Sequence, residues 1–167
     1  MSQVRLNFVR QQGFEDASAR GCDLQYPALM FQPRVVGAFV IAGLLLQSAP
    51  LFLILSAVLW WSALVPRLNP FDWLYNALVA ARKGRPRLSA APRPRRCAQG
   101  MAATFMLGIG MSLAAGWHGL AWTLEALLVL ALAALIFGSF CLGSYVFHLL
   151  TGHQEFARRT LPWVRGA

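Results

Sequence analysis

Polar residues nearly vanish from four stretches of the chain: Val35 to Ala49, Leu51 to Val65, Met101 to Ala115, and Leu120 to Leu150. None shows the strict alternation of a half-buried strand, and each reads as helix. The first two stretches are separated only by Pro50 and are short against the ~20 residues of a spanning helix. Borrowing residues from Phe31 and up to Pro66 brings them into range; a re-entrant pair is the competing arrangement. The fourth stretch has 31 residues, about 45 Å as one helix, so it is expected to tilt or to extend past a bilayer. The pattern predicts an all-α polytopic membrane bundle with four transmembrane helices.

Between the second and third stretches lies a helix start. Asn69 suits the N-cap, Pro70 the first helical position, and Asp72 the positive end of the helix dipole. Phe71, Leu74, Tyr75, Leu78 and Val79 then share one face, closed by Arg82 and Lys83. The spacing predicts an interfacial amphipathic helix, with Phe71, Trp73, Leu74, Leu78, Arg82 and Lys83 against lipid. Trp117 and Trp122 are the corresponding interface residues at the other end. From Gly84 to Arg96 three prolines stand among the arginines, predicting an extended basic linker along the membrane surface.

Small residues recur every four positions at Gly100, Thr104, Gly108, Ser112 and Gly116. Such spacing lets helices approach closely in lipid. In the fourth stretch Leu127, Ala131, Ala134, Gly138, Cys141, Tyr145 and His148 form a matching seam. With only Gly116–Gly119 between them, these two stretches are expected to pack as an antiparallel hairpin.

Residues 1–32 form an N-terminal tail, residues 33–150 the membrane domain with its basic loop 67–96, and residues 151–167 a C-terminal tail. The N-terminal tail is expected to be flexible, or to offer Val4–Val9 as a short strand or a docking segment. No apolar leader is visible in its first 30 residues, so insertion would proceed through the spans themselves.

Composition agrees with the pattern: 57% of residues are hydrophobic and only 13% charged. A net charge of +9 would suggest nucleic acid in a soluble protein. Here all 15 Lys and Arg residues fall before the first stretch, between the second and third, or after the fourth. The positive-inside rule accounts for that distribution without nucleic acid. It predicts a membrane protein with both termini and the basic loop in the cytoplasm, facing anionic lipid.

Candidate chemistry is sparse. His118 is expected at the end opposite His148 and His153, so the three do not suit one metal. Glu125 is the only acid inside an apolar stretch and lies about one turn from its edge, within reach of water or His118. Cys22, Cys97 and Cys141 fall on the reducing side, where disulfides are not expected. No phosphate-binding glycine loop, nucleophile elbow or HExxH is present, and no cofactor or metal is predicted.

Pro94-Arg95-Arg96-Cys97-Ala98-Gln99-Gly100-Met101 and Phe140-Cys141-Leu142-Gly143-Ser144-Tyr145-Val146-Phe147 carry a resemblance. Together, in this order and flanking a Gly/Ala-rich span, they resemble the bacterial membrane family called domain of unknown function 4395. The resemblance covers roughly Val35 to Leu150 and implies four spans, a Pro/Arg inner loop leading into Phe-Ala-Gln, and a closing Phe-Cys-Leu-Gly-Cys. This chain departs twice: Cys97 replaces the Phe of the first motif, and Ser144 replaces the second Cys of the closing one. If the family's two thiols do redox work, the resolving thiol is missing here.

Two functions follow as expectations. One is a non-catalytic accessory or scaffold subunit, packed against a membrane-protein partner or a second copy. The other is thiol-redox or sulfur-compound handling through Cys141, with or without Cys97.

Overall fold

The structure, a computed structural model, describes residues 3–14, 25–84 and 87–164, with the side chain of Lys83 outside that set. Cys22 also lies outside it. All regular secondary structure among the described residues is helical.

Three helices are long and apolar enough to cross a membrane: α2 (Gln25–Leu46), α5 (Arg93–Ala114) and α6 (His118–Ile136). The remaining apolar helix, α3 (Ala49–Leu64), has 16 residues, about 24 Å of rise. A tight turn joins α2 to α3. Gln47 ends α2 in the left-handed conformation, φ 45°, and Ser48 caps α3 by accepting from the Leu51 N–H at 3.4 Å. Pro50 falls in the first turn of α3, where its missing N–H costs nothing.

The core is built from one face of each long helix. Val36 and Val40 of α2, Phe52, Leu55 and Leu59 of α3, Ala103, Met106 and Ile109 of α5 and Leu128 of α6 pack together. The most extensive contact is between α3 and α5. There the Ser56 hydroxyl donates to the Ala103 carbonyl at 2.8 Å, satisfying a polar group inside an apolar interface. Helices α5 and α6 do form an antiparallel hairpin. Helix α6 buries only Ala121, Glu125 and Leu128, so most of its circumference is left uncovered by the other described residues.

The fourth apolar stretch is not one helix. It breaks after Ile136 and resumes as α7 (Leu142–Leu150), correcting the expectation of a single 31-residue rod. The cause is local. Ser139 takes the left-handed conformation, φ 51°, and the Phe140 N–H reaches back six residues to the Ala134 carbonyl at 3.1 Å, a wider closure than the helix can continue through. A Cβ at Gly138 would sit 2.6 Å from the Ala134 oxygen, so glycine is what permits the break. The seam expected from Leu127 to His148 is therefore split, and α7 packs against α5.

Two further readings change. The N-terminal segment is neither strand nor free tail: α1 (Gln3–Gln11) is a helix whose Phe8 and Val9 pack with Leu29, Met30 and Cys141. Asn7 donates to the carbonyls of Leu161 and Val164 at 3.1 and 3.2 Å, tying the two ends together beyond α8 (Gln154–Arg159). The amphipathic helix begins as expected, α4 (Pro70–Tyr75), with Asn69 capping the Phe71 N–H at 3.0 Å. It then widens into a π-turn over Asn76–Ala80 before a last turn at Ala81–Lys83. That extra residue per turn rotates the face: Phe71 and Tyr75 are buried whereas Leu78 is exposed.

Candidate functional site

The basic end of the bundle encloses a connected set of buried polar side chains. Asp72 from α4, Gln32 from α2, and Arg95 and Gln99 from α5 are each no more than 7% exposed. Arg95 forks onto both Asp72 oxygens, at 2.7 and 3.3 Å, the bidentate geometry in which guanidinium and carboxylate pair best. It also donates to Gln32 Oε1 at 2.9 Å. Gln99 Nε2 donates to that same oxygen at 2.9 Å. Residues 95 and 99 meet on one face because they are one helical turn apart.

This chain of bonds has an enforced direction. Guanidinium only donates, so Gln32 must turn its oxygen toward Arg95. Gln99 must then offer its NH₂ to Gln32, which commits the Gln99 amide orientation. Its Oε1 is left buried without a partner.

Beside this network sits Cys141, at the N-terminus of α7. Its backbone N–H donates to Gln11 Oε1 at 3.0 Å, and its sulfur accepts from the Ser144 hydroxyl at 3.4 Å. Ser144 also reaches the Pro94 carbonyl at 3.3 Å. His148 Nε2 donates to the Gln11 carbonyl at 3.0 Å, which places the ring proton on that nitrogen. Cys97 and Cys141 are both free thiols.

A cavity of about 230 Å³ opens above the network. Val36, Leu59, Ala102, Phe105, Leu128 and Leu132 supply apolar wall, while Gln32, Arg95, Gln99 and Cys141 lie on its polar side.

At the opposite end Glu125 is buried, but its partner is Gln47 rather than His118. Gln47 Nε2 lies 3.3 Å from each carboxylate oxygen, and Gln47 Oε1 accepts from the Trp122 indole at 3.2 Å. His118 instead stacks against Trp122, ring centroids 6.2 Å apart. The left-handed turn at Gln47 is what aims this side chain at α6.

The small-residue stripe does not form one face. Gly108 looks at Leu124 of α6, but Gly100 looks at Trp60 of α3 and Thr104 is exposed. Ser112 is buried, whereas Gly116 lies beyond α5 with open space around it. Ala134 and Gly138 belong to the helix break, not to a continuous seam. Among the residues expected at lipid, Trp73, Leu78, Trp117 and Trp122 are exposed, as is Arg82. Leu74 is half-buried, and Phe71 belongs to the bundle core. Its burial follows from α4 folding under the helices. The basic linker is also shorter than expected. Leu88 exchanges two hydrogen bonds with the Asn76 side chain, and Arg93 to Arg96 belong to α5. Arg96 caps the end of α3, its Nε donating to the Ala63 carbonyl at 2.7 Å.

His148 and His153 come together, ring centroids 6.5 Å apart, because the chain reverses at Thr151–Gly152. They gather no third ligand: among the described residues, no three His, Cys, Asp or Glu converge as a metal site would require.

The two sequence motifs form one contact. A Cβ on Gly143 would lie 2.6 Å from the Ala98 Cα, so the closing motif touches the Ala-Gln motif backbone to backbone. Around that contact are gathered Cys141, Ser144, Arg95 and Gln99. The fold and this site define a small all-helical protein with three helices suited to a membrane and an ordered polar cap at one end. The chain belongs to the family described as Domain of unknown function (DUF4395), whose profile matches residues 26–151. No curated protein matches the chain, and no solved structure does.

Proposed function

We propose that this chain is a multi-pass protein of the bacterial cytoplasmic membrane and serves as a non-catalytic accessory or scaffold subunit. In this reading α2, α3, α5 and α6 all span, with α3 accommodated by local thinning of the bilayer. Both termini and the basic loop face the cytoplasm, and α4 lies in the interface, with Trp73, Leu78 and Arg82 toward anionic headgroups. The observation that carries the scaffold role is that Arg95 and Cys141, the groups best suited to chemistry, already have partners within the cap. Arg95 is neutralised by Asp72, and the backbone and side chain of Cys141 are held by Gln11 and Ser144. These groups fix the geometry of the cap and join α1, α2, α4, α5 and α7.

What such a cap would present is the bare side of α6. Leu127, Val129 and Leu130 are exposed there, a surface for lipid, a larger membrane protein or a second copy. Gentle extraction from the native membrane, followed by mass spectrometry of what co-migrates, tests the reading. A stoichiometric membrane-protein partner or a defined homo-oligomer is the expected result. A protein that migrates alone, and whose cellular role is abolished by Cys141→Ala, refutes it.

One observation supports the thiol alternative: Cys141 is among the residues that line the cavity. Ser144 weighs against it, because it occupies the position of the family's second thiol and bonds to Cys141 as a hydroxyl.

A further inference from the structure

A second cleft, of about 500 Å³, opens at the basic end of the bundle between α4 and the chain that leads into α5. Its size is within the ~300–1,000 Å³ of clefts that hold small ligands, and its charge selects among them. Arg67 and Arg87 both line it, and the backbone under each is held. Arg67 sits in a short turn, Pro66–Leu68, whose Leu68 carbonyl accepts from the Trp61 indole at 3.3 Å. Arg87 precedes Leu88, which the Asn76 side chain fastens through two hydrogen bonds. The ion pairs among the described residues are Arg95–Asp72 and Arg159–Glu155, so no described carboxylate neutralises either arginine. Asp72 also lines the cleft, but Arg95 occupies both of its oxygens. The buried pair therefore keeps the cleft positive, because it removes from play the acid that could have balanced Arg67 or Arg87.

The rim is apolar. Trp73, in the cleft wall, is 70% exposed, and Leu68, next to Arg67, is 64% exposed. An exposed indole beside uncompensated guanidinium groups is the composition suited to the membrane–water interface, where the ring lies at headgroup depth and the cation meets phosphate.

We propose that this cleft binds the headgroup of an anionic phospholipid, with its phosphate held by Arg67 and Arg87 and its acyl chains passing Trp73 and Leu68. The planar fork of guanidinium gives parallel hydrogen bonds to two phosphate oxygens. A choline headgroup adds a third cation to the site and binds worse, and free phosphate leaves the apolar rim unused. The inference rests on the reading that α4 lies in an anionic interface, and it names a defined site within that interface.

The test uses the full chain in dodecyl maltoside and follows thermal unfolding at constant ionic strength. The probes are dihexanoyl phosphatidylglycerol, dihexanoyl phosphatidylcholine and inorganic phosphate. A ligand that binds only the folded state raises the unfolding temperature saturably. Phosphatidylglycerol is expected to act at concentrations roughly tenfold below the other two. Arg67→Gln with Arg87→Gln should erase that preference. Arg158→Gln with Arg159→Gln removes the same charge from α8 and should keep it. All four arginines are exposed, so both double variants are expected to fold. Equal potency of the two lipids overturns the proposal, as does a preference that survives the cleft variant. An equal loss in both double variants also overturns it, since it marks a general surface charge rather than a site. Inorganic phosphate as potent as phosphatidylglycerol overturns the lipid assignment in favour of a soluble phosphate ligand. Should the cleft variant unfold, Arg87→Gln alone takes its place, with a several-fold weaker preference expected and an unchanged one overturning the site. None of these outcomes depends on membrane orientation or on a protein partner, so failure of the site and failure of the scaffold reading are told apart.

Discussion

Replacing Arg95 by methionine isolates the weight of the buried network. The substitution keeps an unbranched apolar stem and removes the fork, so Asp72 loses both of its donors and Gln32 loses one of two. The side chains of Arg95 and Asp72 are 6% and 10% exposed, so water cannot replace the lost donors at full strength. Hydrogen bonds to a charged group are worth about 1.5–3 kcal/mol each, and orphaning one member of a buried ion pair costs about 3–5 kcal/mol. The two estimates agree on a loss near 4 kcal/mol. Asp72→Asn keeps an acceptor for one arm of the fork but leaves the guanidinium without its counter-charge, and should lose about 3 kcal/mol, the low end of that range. The double substitution Asp72→Leu with Arg95→Met buries no unpaired charge, and should cost clearly less than the sum of Asp72→Leu and Arg95→Met measured singly. Unfolding in mixed micelles, titrated with SDS and followed by tryptophan fluorescence, measures all the variants. A loss under 1 kcal/mol for Arg95→Met, or strict additivity in the cycle, would show that the pair is solvated and that the cap is not organised around it.

The contact between motifs is tested at Gly143: alanine there puts a Cβ 2.6 Å from the Ala98 backbone and should cost about 1–3 kcal/mol. Gly119→Ala, with nothing within 4 Å, should be neutral in the same assay; equal effects would mean that α7 stands off from α5. Mild oxidation of intact membranes should leave Cys97 and Cys141 unbridged by peptide mapping, and Cys141→Ala should preserve assembly, since the thiol acts as a small apolar group; a stoichiometric bridge favours the thiol reading. Reporter fusions in the loop near Ser89 and after Gly166 should both give a cytoplasmic signal, and a periplasmic signal from either would overturn the topology.

The helical architecture was legible because hydropathy and capping speak locally. Asn69-Pro70 starts α4 where the spacing says it should, and the short link at Gly116–Gly119 brings α5 back along α6. What escaped is long-range. Gln32 looked like the last residue of a tail and Arg95 like one of many linker arginines; nothing in their own neighbourhoods shows that residues 63 and 23 positions away complete their bonds. The one hint was numerical: Asp72 is the only carboxylate between Asp23 and Glu125, so a buried cation had a single candidate partner. The break in the fourth stretch was written in Gly138-Ser139 but drowned by the apolar residues on either side. Burial of α1 was illegible for a different reason, since its mean character is polar and only Phe8 and Val9 betray an inward face.

The clasp between Asn7 and the carbonyls of Leu161 and Val164 spans more than 150 residues of sequence, and this orders the biogenesis of the protein in time. Helical hairpins close as soon as both arms have left the ribosome, but α1 must wait for Leu161 and Val164 before its last contacts exist. During that interval Phe8, Val9 and the pocket they will cover around Cys141 lack their final fastening. A nascent chain stalled between residues 151 and 161 therefore carries its long apolar helices and an unfastened cap, and is distinguishable by proteolysis at α1 from one in which the clasp has formed.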